Sequence, residues 1–260
     1  MPSIAELYDA FLFDLDGVLY RGLEPVAAAS EAVASLKRMG KRLAFVTNNS
    51  SRTPSAVAER LNAVGVAAVA DEVETSALAT ANLLRERGVT NAFVVGQKGI
   101  VMALGDVGIA VVAGEPDAVD VVVVGWDGDA DYAKLKTASL LVQRGAALVA
   151  TNADATMPAP DGRWPGAGAL LAAIETTTGV RADVVGKPHP TLLRAALARA
   201  GGGRPLVVGD RLDTDIAGAA VLGWDSLLVL TGISQRRDLA ASDVQPTFVA
   251  DDLSALFDST

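Results

Sequence analysis

Short apolar runs of four to six residues punctuate the chain, each bounded by Gly, Asp or Thr and separated from the next by a stretch of helical period. This alternation restricts the fold more than any other feature. Strands apolar at nearly every position need cover on both faces, so the pattern predicts parallel sheets flanked by helices, an α/β fold. The runs place strands at Ala10–Phe13, Leu43–Val46, Ala92–Val95, Ile109–Val112, Val119–Val124, Ala147–Ala150, Leu206–Val208, Leu227–Leu230 and Phe248–Ala250. Helices are expected at Ser30–Met39, Pro54–Val64, Ser76–Arg87, Tyr132–Arg144, Ala169–Thr178 and Pro190–Ala200. The second of these has Thr53 as its cap, Pro54 at its first position and Gly65 just past its end.

Polar residues sit where such strands stop. Phe11-Leu12-Phe13 runs into Asp14, Leu43–Val46 into Thr47-Asn48-Asn49, Val184-Val185-Gly186 into Lys187, and Leu206–Gly209 into Asp210. Ligands of open parallel sheets bind beyond the carboxyl ends of the strands. Two carboxylates, a hydroxyl and an ammonium from four separate segments are therefore expected in one crevice.

Composition narrows the chemistry. The 260 residues include no cysteine and one histidine, His189, which excludes thiol nucleophiles, thiolate metal sites and multi-imidazole zinc sites. A metal here must be hard and oxygen-ligated. A net charge of −9 argues against nucleic-acid binding, since no basic excess displaces counterions. The longest apolar stretches, such as Ile216–Trp224, are too short for a membrane span. MPSIAELYDAFLFDLDG lacks the basic start of a signal peptide. A soluble, cytoplasmic protein with no membrane partner is the expectation.

Three Asp-x-Asp patterns occur: Asp14/Asp16, Asp127/Asp129/Asp131 and Asp213/Asp215. The middle run fails as a calcium loop, because Tyr132 stands where glycine is needed and Ala138 where glutamate is needed. It reads as a polar turn before a helix. Asp14/Asp16 directly follows an apolar strand and precedes Gly17, which lets the backbone turn tightly. Its chemistry is phosphoryl transfer. One carboxylate attacks phosphorus where a metal offsets the charge repulsion. A carboxyl two residues on passes a proton to the leaving alcohol and takes one from water. Thr47 and Lys187 would hold the phosphoryl oxygens, and Asp210 would complete an oxygen-ligated metal site.

Taken together, DLDGVLY at Asp14–Tyr20, TNN at Thr47–Asn49, GKP at Gly186–Pro188 and GDRLDTDI at Gly209–Ile216 resemble, in order, the four motifs of the haloacid dehalogenase superfamily. The resemblance covers nearly the whole chain and is greatest to the NagD-like branch of 4-nitrophenylphosphatase, phosphoglycolate and glycerol-phosphate phosphatases. It implies a Rossmann-like parallel-sheet core and a magnesium-dependent phosphatase acting through an aspartyl phosphate. Asp14 would be the nucleophile and Asp16 the general acid and base. Asp14, the Asp16 carbonyl and Asp210 would ligate Mg²⁺, with Asp215 acting through water or behind the ligands. Thr47, the backbone beside Asn48 and Asn49, and Lys187 would bind the phosphoryl group. Arg211 would either orient the metal carboxylates or form a surface ion pair. Asp at position 16, where transport ATPases carry Thr and dehalogenases typically Tyr, favours ester hydrolysis. A phosphomutase and a phospho-aspartate signalling receiver use similar constellations and remain open, as does a preference for nucleotide or sugar phosphates.

From Asp16 to Thr47 is 31 positions, but from Thr47 to Lys187 is 140, far more than a connection needs. The excess carries its own strands and helices. It reads as an inserted α/β module over 82–183, between core segments 1–81 and 184–260, and resembles the C2-type cap of the NagD-like branch. The Gly- and Pro-rich stretch from Thr151 to Gly168 is the candidate for substrate contact, through Asp154, Arg163 and Trp164. The alternative is a surface loop with Trp164 packed into the cap. A large cap implies a small phosphorylated metabolite as partner, and the cap is also where a homodimer could form. His189 is expected to be a solvated or capping bystander.

Overall fold

The computed structural model describes residues 2–159 and 161–258. These form two compact units, one comprising the chain up to Thr47, Pro54–Glu74 and Lys187 onward, the other Asn48–Thr53 and Thr75–Gly186.

The first unit is built on a six-stranded sheet in the order Phe248–Ala250, Asp225–Val229, Pro205–Gly209, Ala10–Phe13, Arg42–Thr47, Val73–Thr75. The pairs among the first five are all parallel. All four residues of Ala10–Phe13 are buried, as its unbroken apolar run requires of a strand covered on both faces. The helix Ala29–Arg38 buries Ala29, Ala32, Val33 and Leu36, one stripe at helical spacing. The helix Pro54–Ala63 does the same with Val57, Ala58 and Leu61. Phe11, Phe13, Phe45, Leu36 and Leu61 join one buried cluster.

Strand order decides where the site lies. From Ala10–Phe13 the chain builds outward on one side through Arg42–Thr47, then returns on the other through Pro205–Gly209. Such a reversal opens a crevice at the carboxyl ends of the two strands that flank it. Phe13 is in register with Val208, and the Asp14 N–H donates to the Val208 carbonyl at 2.8 Å. Asp14 and Asp210 thus leave neighbouring strands side by side.

The second unit has a five-stranded parallel sheet in the order Asp183–Val184, Ala147–Ala150, Val121–Val124, Asn91–Val95, Ala110–Val111. Val121–Val124, in the middle, is fully buried. Its helices are Ser76–Glu86, Lys98–Asp106, Tyr132–Gln143 and Ala167–Thr178. Asp131 caps Tyr132–Gln143, its carboxylate accepting from the Lys134 N–H at 2.7 Å. Asp127 is not a solvated turn residue: it is buried and paired with Lys134 at 2.7 Å.

Expected elements recur with ends shifted by a residue or two, the usual scatter at frayed termini. Two stretches differ in kind. Lys98–Asp106 is a helix that the apolar runs did not reveal. Within the expected loop after Thr151, Thr156–Ala159 and Gly162–Pro165 pair as an antiparallel hairpin. No helix among the described residues is long and apolar enough to cross a membrane.

Candidate active site

Asp14, Thr47, Lys187 and Asp210, expected at strand ends, all belong to the first unit, and three of them make one cluster with Asp215. Lys187 is 4 % exposed, and its Nζ donates to Asp14 Oδ1 at 2.5 Å and Asp215 Oδ1 at 2.6 Å. Ligand oxygens of Asp14, Asp210 and Asp215 lie within 4.8 Å of one another. Thr47 ends its strand and is buried.

Asp215 enters this cluster through a wide turn. Residues Leu212–Ile216 form one turn of π-helix, in which the Ile216 N–H reaches back to the Arg211 carbonyl at 3.2 Å. That turn folds the Asp215 side chain onto Gly209, where any Cβ would overlap it. Gly209 is therefore required at the end of its strand. The Arg211 N–H donates to Asp215 Oδ2 at 3.2 Å, while its guanidinium forks onto Asp213 at 3.0 and 2.7 Å. The main chain of Arg211, rather than its charge, makes the hydrogen bond that steadies Asp215.

Asp210 is held just as closely, by residues the sequence did not single out. Its Oδ2 accepts from the Ile233 N–H at 2.7 Å, and its carbonyl from the Ser234 N–H at 3.0 Å. Gly17, at φ +87°, leaves no room for a side chain, since a Cβ there would lie 2.5 Å from Asp210 Oδ2. A Cβ on Gly232 would overlap the same carboxylate. The signal in the sequence is a glycine three residues past the strand Asp225–Val229, and it has no meaning until strand order is known. Gly232→Ala is expected to swing Asp210 off its Ile233 hydrogen bond. Its effect should be about a 10- to 100-fold rise in the magnesium concentration needed for half-maximal activity, read from a metal titration.

Burial and charge crowding tune these groups. Burial raises the Asp14 carboxyl well above the usual carboxylate range, the Lys187 ammonium opposes that, and the Asp215 and Asp210 charges add to it. Asp210 is pushed up to about 6 by burial and by Asp215, against the Ile233 N–H and Lys187. For Lys187, burial disfavours the charge, yet Asp14 and Asp215 outweigh it and the ammonium is stabilised. Asp16 points to a more open environment and lies outside the carboxylate cluster. Partial desolvation raises its carboxyl, with Arg60 and the Gly22 N–H lowering it. A carboxyl shifted upward is suited to carrying a proton.

Three carboxylates against one ammonium leave an excess of negative charge in a buried site. Asp210 Oδ1 is buried and has no hydrogen-bond partner among the described residues. An orphaned carboxylate oxygen among all-oxygen donors fits a hard divalent cation. The sign of the pH response follows. Asp210 titrates near 6 when folded against 3.8 in the free side chain, so between those values the folded state binds more protons than the unfolded chain. The metal-free protein therefore loses this contribution to stability as pH rises through that window. Protons and metal compete for the same oxygens, so magnesium should raise the melting temperature clearly at about pH 7.5 and much less at about pH 5. An equal shift at both would contradict this.

Asn48, Asn49, Asp154, Arg163 and Trp164 lie in the second unit, and His189 in the first. Asn48 Nδ2 donates to Asp154 Oδ2 at 3.2 Å, and Asn49 Oδ1 accepts from the Ser51 N–H and hydroxyl at 2.9 and 2.6 Å. Arg163 is exposed on the second strand of the hairpin. Trp164 is 44 % exposed and donates to Asp161 at 2.8 Å, so its ring is not packed into the body of the unit. His189 is exposed at the cap position of the helix Pro190–Arg199 and makes no side-chain cap.

Comparison with known proteins places these residues in a wider context. A family model described as haloacid dehalogenase-like hydrolase matches residues 11–110, and a related one matches 184–256. An acid sugar phosphatase of Staphylococcus saprophyticus is 38 % identical over 95 % of this chain and 96 % of its own length. The glycerol phosphate phosphatase of Mycobacterium tuberculosis, solved with magnesium, superposes with a TM-score of 0.94. It is 38 % identical, over 100 % of this chain and 79 % of its own. A p-nitrophenyl phosphatase from Archaeoglobus fulgidus superposes with a TM-score of 0.90 at 32 % identity, covering 96 % and 98 % of the two chains.

Proposed function

The chain belongs to the haloacid dehalogenase-like hydrolases, and from that premise we propose that it is a magnesium-dependent phosphatase of small phosphate monoesters with Asp14 as nucleophile. The observation that carries this is the cluster of Asp14, Asp210 and Asp215 at the sheet's point of reversal, with Lys187 bonded to the first and last of them.

An Asp14 carboxylate oxygen attacks phosphorus, and the ester oxygen leaves with a proton from Asp16. The enzyme is then an aspartyl phosphate. Asp16 takes a proton from water, the water oxygen bonds to phosphorus, and the Asp14–phosphorus bond breaks to release inorganic phosphate. Lys187 and Thr47 hold the non-transferring oxygens as charge develops. Asp14, Asp210 and the Asp16 carbonyl would hold the metal, which when bound offsets the repulsion between carboxylates and phosphoryl group. Asp215 holds Lys187 in place.

The inserted unit is the cap that selects the leaving group, with Arg163 on its exposed hairpin offered to a second polar group of the substrate. Glycerol phosphate leads among substrates, because a relative of 38 % identity over the whole chain bears that activity in its name. Sugar phosphates follow on the same kind of support, and 2-phosphoglycolate on the resemblance of motifs. The test is phosphate release from p-nitrophenyl phosphate and a panel of small phosphate esters. Turnover with magnesium that EDTA abolishes supports the reading, and turnover indifferent to EDTA sinks it.

A further inference from the structure

In the sheet of the first unit, Asp225–Val229 and Ala10–Phe13 lie on either side of Pro205–Gly209. Strands so placed are about 10 Å apart, yet the segments that follow them touch. The Thr231 hydroxyl donates to the Gly17 carbonyl at 2.6 Å, and a Cβ on Gly17 would lie 3.1 Å from Gly232 Cα. This contact closes over the end of the middle strand, where the chain runs into Asp210. Thr231, Gly17, Gly232 and Asp210 all belong to the first unit.

The Asp210 carboxylate lies inside the closure. A Cβ on Gly17 would stand 2.5 Å from its Oδ2, and one on Gly232 would overlap the same atom, so the two glycines wall that oxygen in. The Ile233 N–H donates to Oδ2 at 2.7 Å. Beyond it, the Ser234 N–H donates to the Asp210 carbonyl at 3.0 Å, and the Ser234 hydroxyl accepts from the Leu212 N–H at 3.1 Å. Oδ2 is thus committed to the protein, while Oδ1 is buried without a partner among the described residues. The terminal torsion of an aspartate is soft, so this slot decides which oxygen faces the site. One wall of the slot, Gly17, has no side chain to anchor it and sits at φ +87°. It is held through its backbone, its N–H donating to the Tyr20 carbonyl at 2.7 Å and its carbonyl accepting from Thr231. We infer that Thr231 is a positioning residue for metal binding, a latch that holds Gly17 against Asp210, fixes Oδ2 in the slot and leaves Oδ1 to meet the cation. The inference rests on the proposed magnesium-dependent reading and adds a determinant of its metal affinity.

The test uses the full-length enzyme, with magnesium titrated into the metal-free protein by calorimetry and, separately, into the assay with p-nitrophenyl phosphate. Thr231→Val keeps the shape of the side chain and removes the donor, whereas Thr231→Ser keeps the donor. Thr231→Ala removes the donor without the branched bulk and serves where the valine variant does not fold. All are measured well below their melting temperatures. Thr231→Val is expected to raise the magnesium dissociation constant about tenfold, and Thr231→Ser to stay within about threefold of wild type. Turnover that Thr231→Val loses at low magnesium should return as the metal is raised. A purely structural hydroxyl would lower the melting temperature of the metal-free protein and leave the dissociation constant in place. That result in a folded variant, or a serine variant as impaired as the valine, overturns the latch while magnesium binding and turnover by the wild type uphold the site. Failure of both donorless variants to fold also overturns it, by making the hydroxyl a folding determinant. A wild type that binds no magnesium overturns the reading of the metal site and the latch with it.

Discussion

Asp14→Asn is expected to lower phosphate release from p-nitrophenyl phosphate by about four orders of magnitude or more, while the protein folds as before. The amide cannot form the phosphorus–oxygen bond on which both half-reactions depend, so neither substrate choice nor added magnesium should restore turnover. Stability supplies the control. The Asp14 carboxyl is raised well above its ordinary range by burial and by the Asp215 and Asp210 charges, despite Lys187. The folded site thus disfavours its ionised form, and a neutral isostere removes that penalty. Lys187 keeps Asp215 at 2.6 Å. The metal-free variant should therefore melt no lower than the metal-free wild type at neutral pH. Loss of activity together with an unfolded variant would leave Asp14 as a structural residue, and undiminished turnover would end its role as nucleophile.

The features legible in the sequence were those coded within one segment. A buried parallel strand is apolar throughout, so Ala10–Phe13 and Leu206–Val208 stand out in the sequence, as do the polar residues that follow them. The 140 positions from Thr47 to Lys187 are too many for one loop, and the structure has a second compact unit of Asn48–Thr53 and Thr75–Gly186. What escaped depends on contacts between segments. Gly232 and Ile233 matter only because the strand that precedes them, Asp225–Val229, lies beside Pro205–Gly209, which runs into Asp210. Asp215 joins the cluster only because the turn after Arg211 is one residue wider than an α-helical turn. Asn48 is gripped by Asn152, 104 positions away, and no local pattern announces that. The pairing of Thr156–Ala159 with Gly162–Pro165 is hidden by Pro158, Gly162 and Pro165, which interrupt any alternation that would mark a strand.

Lys187 is the residue on which both stability and chemistry turn, and Lys187→Met is expected to damage each. The methionine fills similar volume but leaves Asp14 and Asp215 buried without the ammonium that now lies 2.5 and 2.6 Å from them. Removing one partner of a buried ion pair typically costs about 3–5 kcal/mol, because the remaining charge stays desolvated. The site can relieve part of that cost by taking up protons. Lowering the pH from about 7.5 to about 5.5 should therefore stabilise the variant more than it stabilises the wild type, in chemical denaturation without metal. Magnesium offers a second route to the same relief and should stabilise the variant at the higher pH. Activity should not follow, since the metal cannot replace a donor aimed at the phosphoryl oxygens, and a loss of about 10²- to 10³-fold in kcat is expected even at saturating magnesium. Lys187→Arg should not rescue it, because a forked guanidinium does not fit a 4 % exposed position shaped around a single ammonium. A methionine variant of wild-type stability at neutral pH, or one with wild-type kcat, would show that neither the carboxylates nor the reaction depends on this ammonium.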